Sequence, residues 1–413
     1  MSLHVRRIMI VGGNFSGRGA EAMMLVVRDA LSAAYSPLDL FVPVRTETQN
    51  AQYRASGFQP VKVRHLHRPL RMLHDFTHSR GWCCKKPPKQ ERAMTRGLLN
   101  PYRLTSAVVD ISGFATGDQW GTGAALRRWQ AGVEMKQAGN KVVYMPQSWG
   151  PFSDSLLAEY TRRLCNDADL VFAREQSSYD SLMNLKGIHD ENICLAPDIA
   201  FQFRPASLER AVEILDQKGL QRDAAPTVCV TPNIRIYERV EGRGIENAYV
   251  AILQRIVGWF QNTLDAQIVL IPHETWRDRP DDSLLCNLIA ERAPHPQRVC
   301  EFSGQEKAAE IKAVISQSDF LVASRYHSLV AAFSTATPVA VIGWSHKYDY
   351  LMAAAKLENW CADLTRRTSE DIVAMTQDAW ERRAEIASSF KEALPELEQK
   401  SRRCLQMMIE QVG

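Results

Sequence analysis

The stretch "ASRYHSL" (residues 323–329) sets an arginine and a histidine two positions apart, where the apolar run "DFLVA" ends and a helical pattern begins. In an open α/β sheet, that edge is where side chains meet a ligand. A guanidinium offers a planar fork to carboxylate or phosphate, and an imidazole gives and takes protons near neutral pH. Arg325 and His327 are therefore candidates for holding an anion and moving a proton. The competing expectation is that both are merely paired with acids at a domain contact. Other strand ends carry related groups. "TPNIR" presents Asn233 and "IPHE" presents His273, both facing the cleft that His327 would face. "DISGFATGDQWG" and "MPQSWGPF" mix glycine, aromatic, amide and carboxyl groups. There Asp118 and Gln147 suit hydrogen bonds to carbohydrate hydroxyls, and Trp149 offers either a stacking face or core packing. "GGNFSGRGAEAMM" (residues 12–24) holds Asn14 and Arg18 among four glycines. Its backbone N–H groups could receive an anion at a helix start, or its glycines could serve turn geometry alone. It is not a GxGxxG, and no acid follows at dinucleotide spacing.

These groups need elements to position them. Short apolar runs ("RRIMIVGG", "LDLFVPV", "SAVVDISG", "KVVYMPQ", "DLVFARE", "NICLAPD") alternate with helical patterns over about 20–34, 122–138 and 153–167. The alternation restarts with "TVCVTPN", "QIVLIPH", "RVCEFSG", "DFLVASR" and "VAVIGWS". Strand–helix repetition of this kind predicts parallel sheets covered on both faces. The expected fold is α/β, with two Rossmann-like doubly wound domains facing a cleft: residues 1–203, a linker over 204–225, residues 226–368, and C-terminal helices over 369–413. "ADLVFAREQSSYDSL" echoes "SDFLVASRYHSLVAA", which would place Arg174 and Arg325 at comparable strand ends, one per domain.

The bulk properties limit the alternatives. At 413 residues the chain exceeds one ordinary core. Its net charge of +3 gives no footprint for nucleic acid. No apolar run reaches the roughly 20 residues of a membrane span, and "VRRIMIVGG" reads as a first strand rather than a signal peptide. Nine scattered cysteines, several inside apolar runs, predict reduced core thiols and a cytoplasmic location. Residues 60–103 break the pattern: eleven Lys or Arg against two acids give this segment a net charge of +9, and it holds four of the ten histidines. It reads as a solvated insertion, or as an arm for an anionic partner such as a charged glycan or the inner face of a membrane. Its His and Cys spacings lack a zinc frame, and no metal site is expected.

Taken in order, "NFSGRGAEAM", "QSWGPF", "AREQSSYDSL", "APDIAF", "TPNIR", "IPH" and "SRYHSLVAAFSTATPVAVIGWSHKYDYLM" resemble the polysaccharide pyruvyltransferases, from about Ile8 to Met352. The resemblance implies a GT-B-like fold, phosphoenolpyruvate as donor, and a sugar diol as acceptor, free or lipid-linked, that becomes a cyclic pyruvate ketal. Phosphoenolpyruvate carries a carboxylate and a phosphate, so its site needs forked cations. Arg325, Arg174, Lys347 and Ser324 are then expected at the donor. His327 is expected to be catalytic, while Asn14, Arg18, Asp118, Gln147, Trp149, Asn233 and His273 face the acceptor or line the cleft. No cofactor is needed, because positioned cations can carry the developing charge. Rival readings are a GT-B glycosyltransferase using a nucleotide sugar, which would want an acid for the ribose where Asp349 is the nearest candidate, and a non-catalytic module in glycan assembly.

Overall fold

The computed structural model describes residues 5–44, 50–62, 100–220, 225–276, 278–364 and 366–413. Two parallel sheets form. The first holds β1 (Arg6–Val11), β2 (Leu38–Val44), β3 (Gln59–Lys62), β4 (Ala107–Asp110), β5 (Phe114–Thr116), β6 (Lys141–Trp149), β7 (Leu170–Ala173) and β8 (Ile193–Leu195). Its order is β3-β2-β1-β4-β6-β7-β8, with β5 added to the end of β6. The second holds β9 (Thr227–Thr231), β10 (Gln267–Leu270), β11 (Val299–Glu301), β12 (Phe320–Ala323), β13 (Val339–Gly343) and β14 (Cys361–Asp363), in the order β11-β10-β9-β12-β13-β14. In both sheets the order reverses beside the first strand. That reversal opens a crevice at the C-terminal strand ends.

The central strands "TVCVT", "QIVL", "FLVA" and "VAVIG" are buried at every residue. Helices on both faces remove the need for polar alternation, so the strands read as continuous apolar runs. Strands β3, β5 and β14 lie outside the expected set: each has only three or four residues, too few for a period-2 signal.

The expected linker contains the helix Leu208–Gln217, which packs with the second domain through Arg210 and Glu310. The last two helices separate in role. Ser369–Glu381 packs on the second domain, where Trp380 meets Phe260 and Phe320. Arg383–Val412 reaches back to the first: Gln202 Nε2 donates to the Glu398 carbonyl, and Tyr35 OH to that of Ile409. The seven described cysteines are all free, and six are buried. Among the described residues, no helix is long and apolar enough to cross a membrane. Most of the basic segment, with its proposed membrane contact and its His and Cys spacings, lies outside the described residues.

Candidate active site

The N–H groups of Ser16, Gly17 and Arg18 in the first glycine-rich loop have partners within the protein. Asn14 Oδ1 accepts from the Ser16 and Gly17 N–H groups, and Arg18 N–H donates to the His273 carbonyl across the domain boundary. The Arg18 guanidinium, 6% exposed, pairs with Glu21 at 2.8 Å and also donates to the Gly304 and Phe15 carbonyls. Glu21 in turn accepts from the Ala308 N–H at 3.2 Å, and burial pushes its carboxyl up. Asn14 and Arg18, expected to face the acceptor or line the cleft, bond within the turn and across the joint between domains. Gly19 has a different duty: a Cβ there would lie 2.0 Å from His327 Nδ1, so only glycine lets the imidazole lie against the helix start.

The second domain brings Arg325 and His327 to the end of β12 as expected, and both meet acids. Arg325 donates through Nη1 to Glu274 at 2.6 Å and through Nη2 to Asp282. Asp282 is fully buried and also accepts from the Ile234, His273 and Glu274 N–H groups, so it ties the ends of β9, β10 and β12 together. His327 Nε2 lies 3.5 Å from Asp198 Oδ2, a residue of the first domain. Asp198 also accepts from Arg174 Nη1 at 2.9 Å, and His327 and Arg174 hold its carboxyl well below the usual range despite burial. Arg174 completes its bonds to Ser148 (2.7 Å) and Glu175 (3.3 Å) and stacks on the Tyr326 ring at 4.1 Å. The anticipated arginines both act on Lys347, but around Arg174 and Arg325 there are four carboxylates for two guanidiniums. Their strands are not equivalent: β12 adjoins the order reversal, whereas β7 is one strand from an edge.

Lys347 stands apart. Its Nζ lies 5.1–5.5 Å from the rings of Phe114, Tyr326, Trp344 and Tyr348. No carboxylate of the described residues pairs with it. Burial, reinforced by the Arg174 charge, lowers it to about 7.

Several expectations are corrected. Trp149 is fully buried, with Nε1 on the Phe172 carbonyl and its ring edge-on to Tyr144, so it is core rather than a stacking face. Trp120, 43% exposed and edge-on to Phe114, is the accessible indole at this mouth. Asn233 caps the short helix that follows it and donates to the Ser324 carbonyl. Ser324 is fully buried and lends that carbonyl to Tyr348 OH as well. His273 is buried, and burial together with the His327, Arg325 and Arg18 charges keeps it neutral. Gln147 accepts from Arg128, while its buried Nε2 has no partner. Asp118 is exposed and accepts twice from Ser153. The acids Asp198, Glu274 and Asp282 were absent from the expected site. The "APD" and "IPHE" strings hinted at the first two, as carboxylates directly after apolar strands.

Behind His327 a cavity of about 20 Å³, lined by Arg18, His273, Lys312 and apolar side chains, has room for one water. Among the described residues, no group of three or more His, Cys, Asp or Glu is placed to hold a metal ion.

The helix starts divide into two classes. Those at Asp154, Ser207, Asn247, Asp281 and Thr368 are capped by side chains. Others have no side-chain cap: those at Gly17, Trp120, Glu175 and Arg382, and the two following β12 and β13, Tyr326–Thr335 and His346–Ala353. Beside the last two, Arg325 Nε and Ser345 Oγ are buried without a hydrogen-bond partner, and His327 Nε2 has only its 3.5 Å approach to Asp198 Oδ2. Buried polar atoms rarely stay unpaired, so these atoms call for an explanation.

Comparison with solved structures identifies the architecture. A UDP-GlcNAc 2-epimerase from Neisseria meningitidis, bound to UDP-GlcNAc, is 11% identical, with 98% of this chain and 100% of that one covered at a TM-score of 0.60. The Anabaena protein HepE in complex with UDP-glucose is 12% identical, with 98% of each chain covered at 0.59. A glycosyltransferase from Rickettsia africae is 10% identical, with 99% of each covered at 0.58. At such identities the likeness speaks for the GT-B-like fold alone. The family profile for polysaccharide pyruvyl transferase matches residues 18–346, from the arginine of the domain joint to the helix that carries Lys347, and the chain belongs to that family.

Proposed function

We propose that the protein transfers pyruvate from phosphoenolpyruvate to two hydroxyls of a sugar in a surface or exopolysaccharide, forming a cyclic ketal. The observation that carries this is the corner after β12 and β13, where Arg325 Nε and Ser345 Oγ are buried without a partner beside two helix starts that no side chain caps. A small donor with a carboxylate and a phosphate supplies the missing acceptors, and the helix ends favour its charge. Arg325, anchored by Asp282 and Glu274, keeps Nε for the donor. Arg174 holds Asp198 and the Tyr326 ring, and Lys347 adds the remaining positive charge. His327, steadied by Asp198 and by the flat backbone at Gly19, takes the proton of an attacking hydroxyl. The acceptor enters past Trp120 and Asp118, with the Trp120 face available to a sugar ring. The scheme calls for neither metal nor organic cofactor.

Glycosyl transfer from a nucleotide sugar is the second reading, favoured by the UDP complexes among the structural relatives. Asp349, its candidate ribose acid, is an exposed residue beside Cys361. Calorimetry with phosphoenolpyruvate, UDP and UDP-glucose decides between the two. Saturable binding of phosphoenolpyruvate, weakened about tenfold or more in Arg325→Lys, is expected, since lysine keeps the charge and loses the fork. Binding of UDP-glucose without phosphoenolpyruvate would replace the first reading by the second.

A further inference from the structure

Four cations meet where the domains join, and they are not alike. Arg18 has Glu21, Arg174 has Glu175 and Asp198, and Arg325 has Glu274 and Asp282. Lys347, in the first turn of an uncapped helix, has four aromatic rings and no carboxylate of the described residues. The groups that act on it come from several elements. Arg174 and Glu175 follow β7, Asp198 follows β8, and Arg325 follows β12; the rings are Tyr326 from the next helix, Phe114 from β5, Trp344 beside the helix start and Tyr348 on its own helix. Ring faces attract a cation, yet burial and two guanidiniums oppose it, and the opposing side prevails: the amine sits at about 7. The guanidiniums, for their part, cannot give up a proton.

A second observation concerns charge. With four carboxylates around two guanidiniums, the surroundings of Arg174 and Arg325 are not ready for a donor carrying three negative charges. They become ready when the Lys347 amine is protonated, which leaves the His327 imidazole free to take a proton later.

We infer that Lys347 is the proton carrier of this site: it gains a proton as the anionic donor enters, and gives that proton to the donor's methylene carbon. This rests on the ketal-transfer reading and assigns a chemical step to a residue otherwise expected only to hold charge. The step balances. Lys347 Nζ protonates the methylene, which becomes the methyl group and leaves the central carbon electron-deficient. The first sugar hydroxyl bonds to that carbon, and its proton goes to His327. The carbon–oxygen bond to phosphate breaks, and the phosphate leaves with the proton from His327. The second hydroxyl closes the ring, and its proton returns to Lys347. Both residues end as they began, and the Phe114 and Tyr326 rings border a step in which positive charge develops.

The test uses phosphoenolpyruvate alone and needs no acceptor. Its binding to the full chain is measured near pH 8 in buffers of different ionisation enthalpy, for wild type, Lys347→Arg and Lys347→Met. Wild type is expected to take up close to one proton, since an amine at about 7 is mostly neutral there until the anion arrives. Lys347→Arg, a permanent cation, is expected to bind within about threefold of wild type with no uptake. Lys347→Met is expected to bind roughly tenfold or more weakly, also without uptake. The same uptake in Lys347→Arg would place the proton on another group and overturn the assignment. No uptake in wild type, or binding lost in both variants, would return Lys347 to a fixed contact. Failure of wild type to bind phosphoenolpyruvate at all would remove the donor reading itself, a result distinct from the others.

Discussion

Arg18, buried, and Lys347, half-buried, are cations along the same domain boundary, and they answer their surroundings in opposite ways. Arg18 takes an acid three residues away and two carbonyls, fixing the first helix to the second domain. Lys347 takes aromatic rings and holds its proton loosely. The first arrangement makes a joint, because a guanidinium that cannot lose its proton must be paired. The second leaves a charge that can come and go, as proton transfer near neutral pH requires. What separates mechanical from chemical use of a cation here is whether a carboxylate was placed beside it.

Removing the joint's acid should have the largest effect. Glu21→Ala leaves the Arg18 charge buried with no carboxylate, and is expected to cost about 3–5 kcal/mol in urea unfolding. Arg18→Met should cost less, since the Glu21 carboxyl, already pushed up by burial, can neutralise itself by taking a proton. Equal losses in the two variants would mean that the pair does not carry the joint.

On the chemical side, His327→Asn should fold, with a melting temperature within a few degrees of wild type. It should lose about 10²–10⁴-fold in phosphate released from phosphoenolpyruvate with diol-bearing glycosides as acceptors. A variant that unfolds while residual turnover stays normal would support the competing expectation that His327 and Arg325 serve only the domain contact. Gly19→Ala probes the same group from the other domain. Alanine is the better helix former by about 1 kcal/mol, but its Cβ would overlap the imidazole. Turnover should fall roughly tenfold or more, as misplacement of a positioned group does, while stability changes little. Unchanged turnover would show that the imidazole position is not critical.

Much of the scaffold was legible because buried parallel strands advertise themselves: "VAVIG" and "QIVL" have few other readings. Short strands such as Phe114–Thr116 were not, since three residues carry no period. For the site, strand-end position brought Arg325, His327, Arg174 and Lys347 to one region, but it could not say what each would touch. Asp198 reaches His327 only because the two domains close on each other, a contact 129 residues apart along the chain with no local trace. Trp149 and Trp120 invert the expectation for the same reason: both lie in glycine-rich strand ends, and only the tertiary fold decides that one indole enters the core while the other stays 43% exposed.

The smallest effect sharpens the contrast between the two cations. An amine that titrates at about 7 in the folded chain and near 10.5 when unfolded burdens folding in a defined window. Above about 10.5 neither state holds the proton, and the burden is absent. As pH falls from there to about 7, the unfolded chain binds a proton that the folded chain refuses, so wild type loses stability relative to a variant without the amine. Below about 7 both states are protonated, and the difference stays constant. Lys347→Met is therefore expected to melt roughly 2–5 °C above wild type at pH 7, with the gap closing towards pH 10. Arg18→Met should lie below wild type across the same range, because no pH in it discharges a guanidinium. Parallel pH curves for Lys347→Met and wild type would mean that Lys347 is an ordinary cation, and would erase the distinction between joint and proton carrier. A gap that closes on the alkaline side would show that the site keeps its amine at a standing cost in stability, the usual trade between stability and activity.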